Sequence, residues 1–384
     1  MSSPSIMMVT GEASGDLHCS RLAQKLKELY PSLSLFGMGG MMMRQAGVEI
    51  IYDISELSVL GITEVLGRLP LILRRLKDLK ALMDTRKPNA LVLIDFPDFN
   101  MRLMPYAYKR QIPVIYYIPP KAWAWRKKRA YKLAKYTTAI ASIFPFEAKV
   151  YKQAGANVHY VGHPLLDFAM PSLSRSESYS KFQLSNQKPI IGLMPGSRVR
   201  EIKSLLPVML DSVEIIKKNI PDAQFILPVA STIPYDMIQS LTEPYEYIKI
   251  IDSSDVYNMM SIADLIIMAS GTATLESTFI GTPMIVLYKV SFLTWIIMKS
   301  LVNPDIRSTT LPNIIAGKNI VPELLQDKAN PNKIAEIAIN MLRNPEKLKE
   351  QKNNLYKVKE LIGEPGAVER AAKLIIEHLP ILSK

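Results

Sequence analysis

The sequence predicts an α/β protein of two Rossmann-like domains, each a parallel sheet covered by helices on both faces. Three observations carry this prediction. Strand-length apolar runs alternate with helix-length amphipathic segments from end to end, the pattern of parallel strands joined by crossover helices. A chain of 384 residues exceeds what one typical core organises. Midway, residues 170–187 are rich in Ser and charge and lack an apolar period. The expected division is an N-terminal domain over 1–169, a linker over 170–187 and a C-terminal domain over 188–365. A last helical segment, 366–384, is able to pack on either domain, including by a return to the N-terminal one. Two such domains set a cleft between the C-terminal edges of their sheets, where ligands of open α/β folds bind.

In chain order, the first half offers strands at 5–10, 34–37, 90–95, 113–118, 137–143 and 158–161. The second half offers 190–194, 224–228, 247–251, 264–268 and 284–288. The first strand leads into Thr10-Gly11-Glu12-Ala13-Ser14-Gly15-Asp16, which opens a helix. Gly11 and Gly15 permit close backbone approach, and Ser14 or Asp16 suits a cap. The spacing is not that of the dinucleotide fingerprint, so a tight turn and a ligand loop both fit.

The strand at 90–95 runs into Asp95-Phe96-Pro97-Asp98-Phe99-Asn100. A carboxylate there, partly buried between Phe96 and Phe99, would have the raised pKa of a general base. Asp98 is that candidate, with helix capping as its other reading, while Asp95 reads as orienting the loop. At the first strand of the second half, Pro195-Gly196-Ser197-Arg198 repeats the strand–glycine–helix theme. Arg198 would aim a fixed cation at charge developing on a leaving phosphate. Arg200 and Glu201 read as a solvated face or a local ion pair.

Residues 263–276 are the most chemically pointed stretch. The apolar run 265–268 reads as a buried strand, breaks at Ser270, Gly271 and Thr272, and restarts as a helix carrying Glu276. N–H groups at a helix start, together with the helix dipole, attract an anion. Glu276 lies five residues past Gly271, a rise of about 7 Å at about 1.5 Å per residue. That is the reach from a diphosphate to the ribose hydroxyls of one nucleotide. An ordinary turn capped by Ser270 fits the same residues. Residues 307–322, containing Leu311-Pro312-Asn313 and Gly317, read as a long structureless connection of the functional kind. There Asn313 either offers its amide to a ligand or satisfies a turn.

Leu69, Ile72, Leu73, Leu76, Leu79 and Met83 recur at helical period among Arg68, Arg74, Arg75, Lys77 and Lys80. This basic amphipathic helix either covers its sheet or lies on an anionic membrane. Trp123-Ala124-Trp125 followed by four cations mixes aromatics and charge, yet no nucleic-acid module surrounds it, and a cleft-lining aromatic pair fits better. A net charge of +12 implies an anionic partner. One cysteine and four histidines without metal-ligand spacing argue for a reducing, cytoplasmic setting and against a metal site. No leader is expected, since residues 1–4 lead directly into a strand-like run, and no apolar run reaches the roughly 18 residues of a membrane span. The apolar segment 292–298 around Trp295 reads equally as a homodimer contact, a membrane contact or core.

Taken in order, seven motifs resemble the lipid-A-disaccharide synthase family over nearly the whole chain. They are Gly11-Glu12-Ala13-Ser14-Gly15-Asp16, Pro97-Asp98-Phe99-Asn100, Trp123-Ala124-Trp125, Gly162-His163-Pro164-Leu165, Pro195-Gly196-Ser197-Arg198, Ser270-Gly271-Thr272 with Glu276, and Leu311-Pro312-Asn313. The resemblance implies a GT-B fold and an inverting glycosyltransferase. UDP-2,3-diacylglucosamine would be the donor and 2,3-diacylglucosamine 1-phosphate the acceptor, giving a β-1,6 disaccharide and UDP. It implies acceptor contacts at Gly11, Glu12, Ser14, Gly15, Asp16, Asn100 and Trp123. UDP contacts would come from Gly196, Ser197, Arg198, Ser270, Gly271, Thr272, Glu276 and Asn313, with Asp98 and Arg198 catalytic. No metal or other cofactor is implied, because these donors do the cation's work.

Acylated substrates would bring the enzyme to the cytoplasmic leaflet of the inner membrane as a peripheral protein, through Leu69, Ile72, Leu73 and Leu76. One departure stands out: Ile118-Pro119-Pro120-Lys121, where the family more often shows a serine beside a single proline. Two further readings remain. One is a UDP-sugar enzyme of the same fold acting on a soluble substrate, such as an epimerase. The other is a non-catalytic basic module binding membrane or RNA.

Overall fold

The structure is a computed structural model describing residues 3–56, 62–122, 128–290 and 308–380. It divides into two compact units, one of residues up to Asp167 together with those from Glu364 onward, the other Phe168–Gly363. Trp123, and the 292–298 segment around Trp295, lie outside the described residues.

Unit 1 runs β1 (Ser5–Val9), α1 (Ala13–Leu29), β2 (Ser34–Gly39), α2 (Met41–Gln45), β3 (Glu49–Asp53), α3 (Ile62–Arg86), β4 (Ala90–Ile94) and α4 (Pro97–Lys109). It continues with β5 (Val114–Tyr117), α5 (Lys128–Tyr136), β6 (Ala139–Ser142), α6 (Pro145–Gln153) and β7 (Val158–Tyr160). The strands form one sheet in the order β3-β2-β1-β4-β5-β6-β7, every pairing parallel. Central strands such as Ala-Leu-Val-Leu-Ile of β4 are buried throughout, as strands covered on both faces must be.

Unit 2 begins with α7 (Arg175–Phe182), β8 (Ile190–Met194), α8 (Val199–Asn219), β9 (Gln224–Val229), α9 (Tyr235–Thr242), β10 (Ile248–Asp252) and α10 (Val256–Ile262). β11 (Leu265–Ala269), α11 (Ala273–Ile280), β12 (Met284–Tyr288), α12 (Leu311–Ala316), β13 (Glu323–Leu325), α13 (Pro331–Leu342) and α14 (Pro345–Ile362) follow. Its sheet is also parallel, in the order β10-β9-β8-β11-β12-β13.

In each sheet the strand order reverses once, between β1 and β4 and between β8 and β11. Such switch points open a crevice outside the carboxyl ends of the strands. The loops after β1 and β4 carry the Gly11 and Asp98 motifs, and those after β8 and β11 carry the Arg198 and Ser270 motifs.

Several elements differ from expectation. The proposed linker carries α7, which belongs to unit 2. Ser174 and Glu177 close a capping box on it, and Lys181 pairs with Asp255 at 2.7 Å. Ser-x-x-Glu is a helix-start signature legible in sequence. The stretch read as a structureless connection contains α12. The edge strands β3 and β13 were not expected, and at three residues β13 is too short to show a period. The last helix, α15 (Ala367–Glu377), packs in unit 1. The Asp167 carboxylate accepts from Gly366 N at 2.5 Å and Val368 N at 2.9 Å, filling that helix's open N-terminus.

Candidate active site

At the unit 2 switch point, two helix starts face their ligand edge in opposite states. After β8, Gly196 adopts φ 120°, and a Cβ there would lie 2.3 Å from Glu201 Oε2. Only glycine lets the loop close over that carboxylate. Oε2 of Glu201 accepts from Ser197 N at 3.0 Å and Arg198 N at 3.3 Å, and Oε1 accepts from Arg198 Nη1 at 3.1 Å. The start of α8 is therefore already filled by an internal anion. Arg198 keeps its side chain 74% exposed.

The start of α11 is open. Thr272 is its N-cap but gives no side-chain bond, and among the described residues no backbone acceptor takes the N–H of Gly271, Thr272 or Ala273. A Cβ at Gly271 would meet nothing within 4 Å, so no packing inside the unit demands glycine there. Glu276, on the first turn of this helix, is half-buried and accepts from Tyr257 Oη at 3.1 Å. Burial pushes its carboxyl above the ordinary range, against the pull of the Tyr257 hydrogen bond. At the end of β12, burial raises the Tyr288 phenol; the Glu201 carboxylate adds to the rise and Arg198 opposes it. Tyr257 and Tyr288 escaped the sequence reading, although a tyrosine ending an apolar strand was the available signal for the second.

At the unit 1 switch point the burial of the two carboxylates is the reverse of that expected. Asp98 is not the partly buried one: its side chain is 77% exposed in the first turn of α4 and is ion-paired with Arg129. Asp95 is half-buried. Desolvation raises its carboxyl, opposed by the Lys121 charge and the Phe96 N–H. Two histidines of the same unit are withdrawn from solvent, His163 buried and His18 half-buried. Burial lowers His18 to about 4 and His163 to about 3, so both imidazoles are neutral at pH 7. Among the described residues no cluster of His, Cys, Asp and Glu suits a metal, and no helix is long and apolar enough to cross a membrane.

The sequence profile described as lipid-A-disaccharide synthetase matches residues 6–376. The chain belongs to that family. Relatives named lipid-A-disaccharide synthase agree. One from Geobacter metallireducens is 41% identical over 374 residues, 97% of each chain. Another, from Nitrosococcus oceani, is 36% identical over 378 residues, covering 98% of this chain and 97% of its own. The family makes the chain a glycosyltransferase. A putative UDP-N-acetylglucosamine 2-epimerase from Listeria monocytogenes shares the fold at TM-score 0.68 and 12% identity, over 99% of this chain and 98% of that one. The epimerase from Neisseria meningitidis bound to UDP-GlcNAc does so at TM-score 0.64 and 14% identity, over 98% and 99%. The pair of parallel-sheet units is the GT-B pattern that the synthase resemblance implied.

Not every residue expected at the site of this synthase-family chain is available to a ligand. Asp16 is buried and its carboxylate accepts from Gly40 N (2.7 Å), Met42 N (3.0 Å) and Met43 N (3.2 Å), so it caps α2 rather than α1. Glycine at 11 and 15 makes room for the protein itself, since a Cβ would lie 2.3 Å from the Phe96 ring or 1.9 Å from Thr10 Oγ1. Asn100 is 0% exposed and directs its Nδ2 at backbone carbonyls of Val9, Ile94 and Asp95. Asn313 is buried, and both ends of its amide are engaged by residues 320–323. Glu12, Ser14, Gly271 and Thr272 are exposed, and Ser197 and Ser270 lie at the same strand-end edges. On α3, Leu69 and Leu73 are 43% and 46% exposed, Ile72 is half-buried and Leu76 is core at 5%.

Proposed function

We propose that this glycosyltransferase joins UDP-2,3-diacylglucosamine to 2,3-diacylglucosamine 1-phosphate with inversion, releasing UDP. The observation that carries the reading is the open start of α11 with Glu276 one turn on, at the unit 2 switch point. Diphosphate oxygens there would accept from the amides at Gly271, Thr272 and Ala273, and Glu276 would accept from the ribose hydroxyls. Arg198 is the mobile cation for the growing charge on UDP; its exposed pair with Glu201 is weak and exchanges readily for a phosphate. Unit 1 takes the acceptor. Asp98, steadied by Arg129 on the strand-end edge, removes the proton of the acceptor 6-hydroxyl as that oxygen attacks the anomeric carbon opposite UDP.

Acylated substrates are met at a membrane surface, and among the described side chains of α3 the exposed apolar Leu69 and Leu73, beside exposed Arg74 and Lys77, are free to touch anionic lipid. This gives a peripheral protein of the cytoplasmic leaflet. Leu76 is excluded, because it packs with Leu79 and Met83 in the core.

Incubation with the UDP-sugar and monosaccharide acceptor should yield UDP and a β-1,6 disaccharide. Asp98→Asn should remove all but a small residual turnover while UDP affinity stays normal. Retention of most activity by that variant rules Asp98 out as the base.

A further inference from the structure

The turn between β4 and α4 is held in a conformation its residues disfavour. Asp95 and Phe96 both have φ 46°, the left-handed region, and Phe96 does so immediately before a proline. Glycine would adopt this turn without strain, yet the chain places a carboxylate and an aromatic ring there. Strain of this kind persists only where surrounding contacts over-determine it, and it gathers at functional sites.

The contacts that over-determine it are specific. Asn100, fully buried, directs Nδ2 at Asp95 O (2.8 Å), Ile94 O (3.2 Å) and Val9 O (3.5 Å). Its own backbone N–H reaches Phe96 O at 3.0 Å. From the neighbouring strand β5, Tyr116 Oη donates to Asp95 O at 2.7 Å. The Phe96 ring stacks on Phe99 at 5.0 Å and fills the space a side chain at Gly11 would occupy. Among the described residues the Oδ1 atom of Asn100 has no hydrogen-bond partner, so its NH2 group is the part in use. Asp98 lies two residues past this turn, and the turn sets the direction in which the first turn of α4 leaves the sheet.

We propose that Asn100, with Tyr116 beside it, is a positioning residue: it locks the left-handed Asp95–Phe96 turn and so fixes where Asp98 presents its carboxylate. It touches no substrate, and it would act on the reaction only through Asp98. The inference rests on Asp98 as the general base, and the test separates the two.

Asn100→Ser removes the donors, and Tyr116→Phe removes one hydrogen bond while keeping the ring. Misplacing a catalytic group by about 1 Å costs on the order of 100-fold. Asn100→Ser should therefore lower kcat about 100-fold and Tyr116→Phe about 10-fold, with UDP affinity and acceptor KM within about threefold. In an Asp98→Asn background, neither should lower the residual rate further, because two residues acting as one unit are not additive. If Asn100→Ser does not fold, Tyr116→Phe and its double variant carry the test alone. Full kcat in the folded variants beside an inactive Asp98→Asn overturns the positioning role and leaves the base assignment standing. Additive losses in the double variants overturn it too. An active Asp98→Asn removes the base assignment and the inference with it.

Discussion

Replacing Asn313 with Ala separates a ligand group from an internal brace. In unit 2 the Nδ2 of Asn313 donates to Val321 O at 2.9 Å and to Glu323 Oε1 at 2.6 Å. Its Oδ1 accepts from Ile320 N at 2.8 Å and Val321 N at 2.9 Å. The Glu323 carboxylate also takes the N–H and hydroxyl of both Thr309 and Thr310, so one amide ties the start of α12 to strand β13. Truncation strands two buried N–H groups and a carbonyl. At about 1–3 kcal/mol per unsatisfied buried group, discounted for local relaxation, the expected loss is about 3–5 kcal/mol. For a unit of this size that lowers the unfolding midpoint by roughly 6–20 °C.

Thermal unfolding, with hydrogen exchange read at the Ile320 and Val321 amides, measures this directly. Asn313→Asp keeps the two accepted bonds but sets a carboxylate against Glu323. The like charges repel across that contact, so this variant also loses stability. An unchanged midpoint with protected amides and collapsed UDP affinity would refute the argument and return Asn313 to the ligand.

Two other outcomes follow from the geometry. Burial raises the Glu276 carboxyl, so the folded protein binds that proton more tightly than the unfolded chain does. As pH falls through the raised value, the unit gains stability from this group while UDP affinity falls, because a protonated carboxyl accepts ribose hydroxyls poorly. Glu276→Gln should weaken UDP about tenfold or more and flatten that dependence, both read by titration calorimetry across pH. On α3, Leu69→Glu with Leu73→Glu should cut sedimentation with anionic vesicles several-fold and leave the unfolding midpoint unchanged, since both side chains are already exposed. Undiminished vesicle binding would move membrane contact elsewhere.

The sequence by itself determined the alternation of strands and helices, the positions of the strand ends and the family. Parallel strands covered on both faces must be written as apolar runs, and the turns that follow them must be written in glycine and polar residues. That grammar is local. It therefore placed Gly11, Asp98, Arg198 and Ser270 correctly at strand ends, while the edge strand β13 was too short to declare itself.

Only the tertiary structure decided which polar side chains are spent inside the protein. Asp16, Asn100 and Asn313 read in sequence as ligand groups because an amide or carboxylate in a loop motif looks the same facing solvent or facing backbone. Buried N–H and C=O groups must find partners, and residues distant in sequence recruited these three: Gly40 for Asp16, Val9 for Asn100, Glu323 for Asn313. Folding likewise half-buried Asp95 and exposed Asp98, three residues apart, and it closed one helix start with Glu201 while leaving the start of α11 open. Spacing along the chain carries no record of that choice, because desolvation and hydrogen-bond direction exist only once the elements have packed.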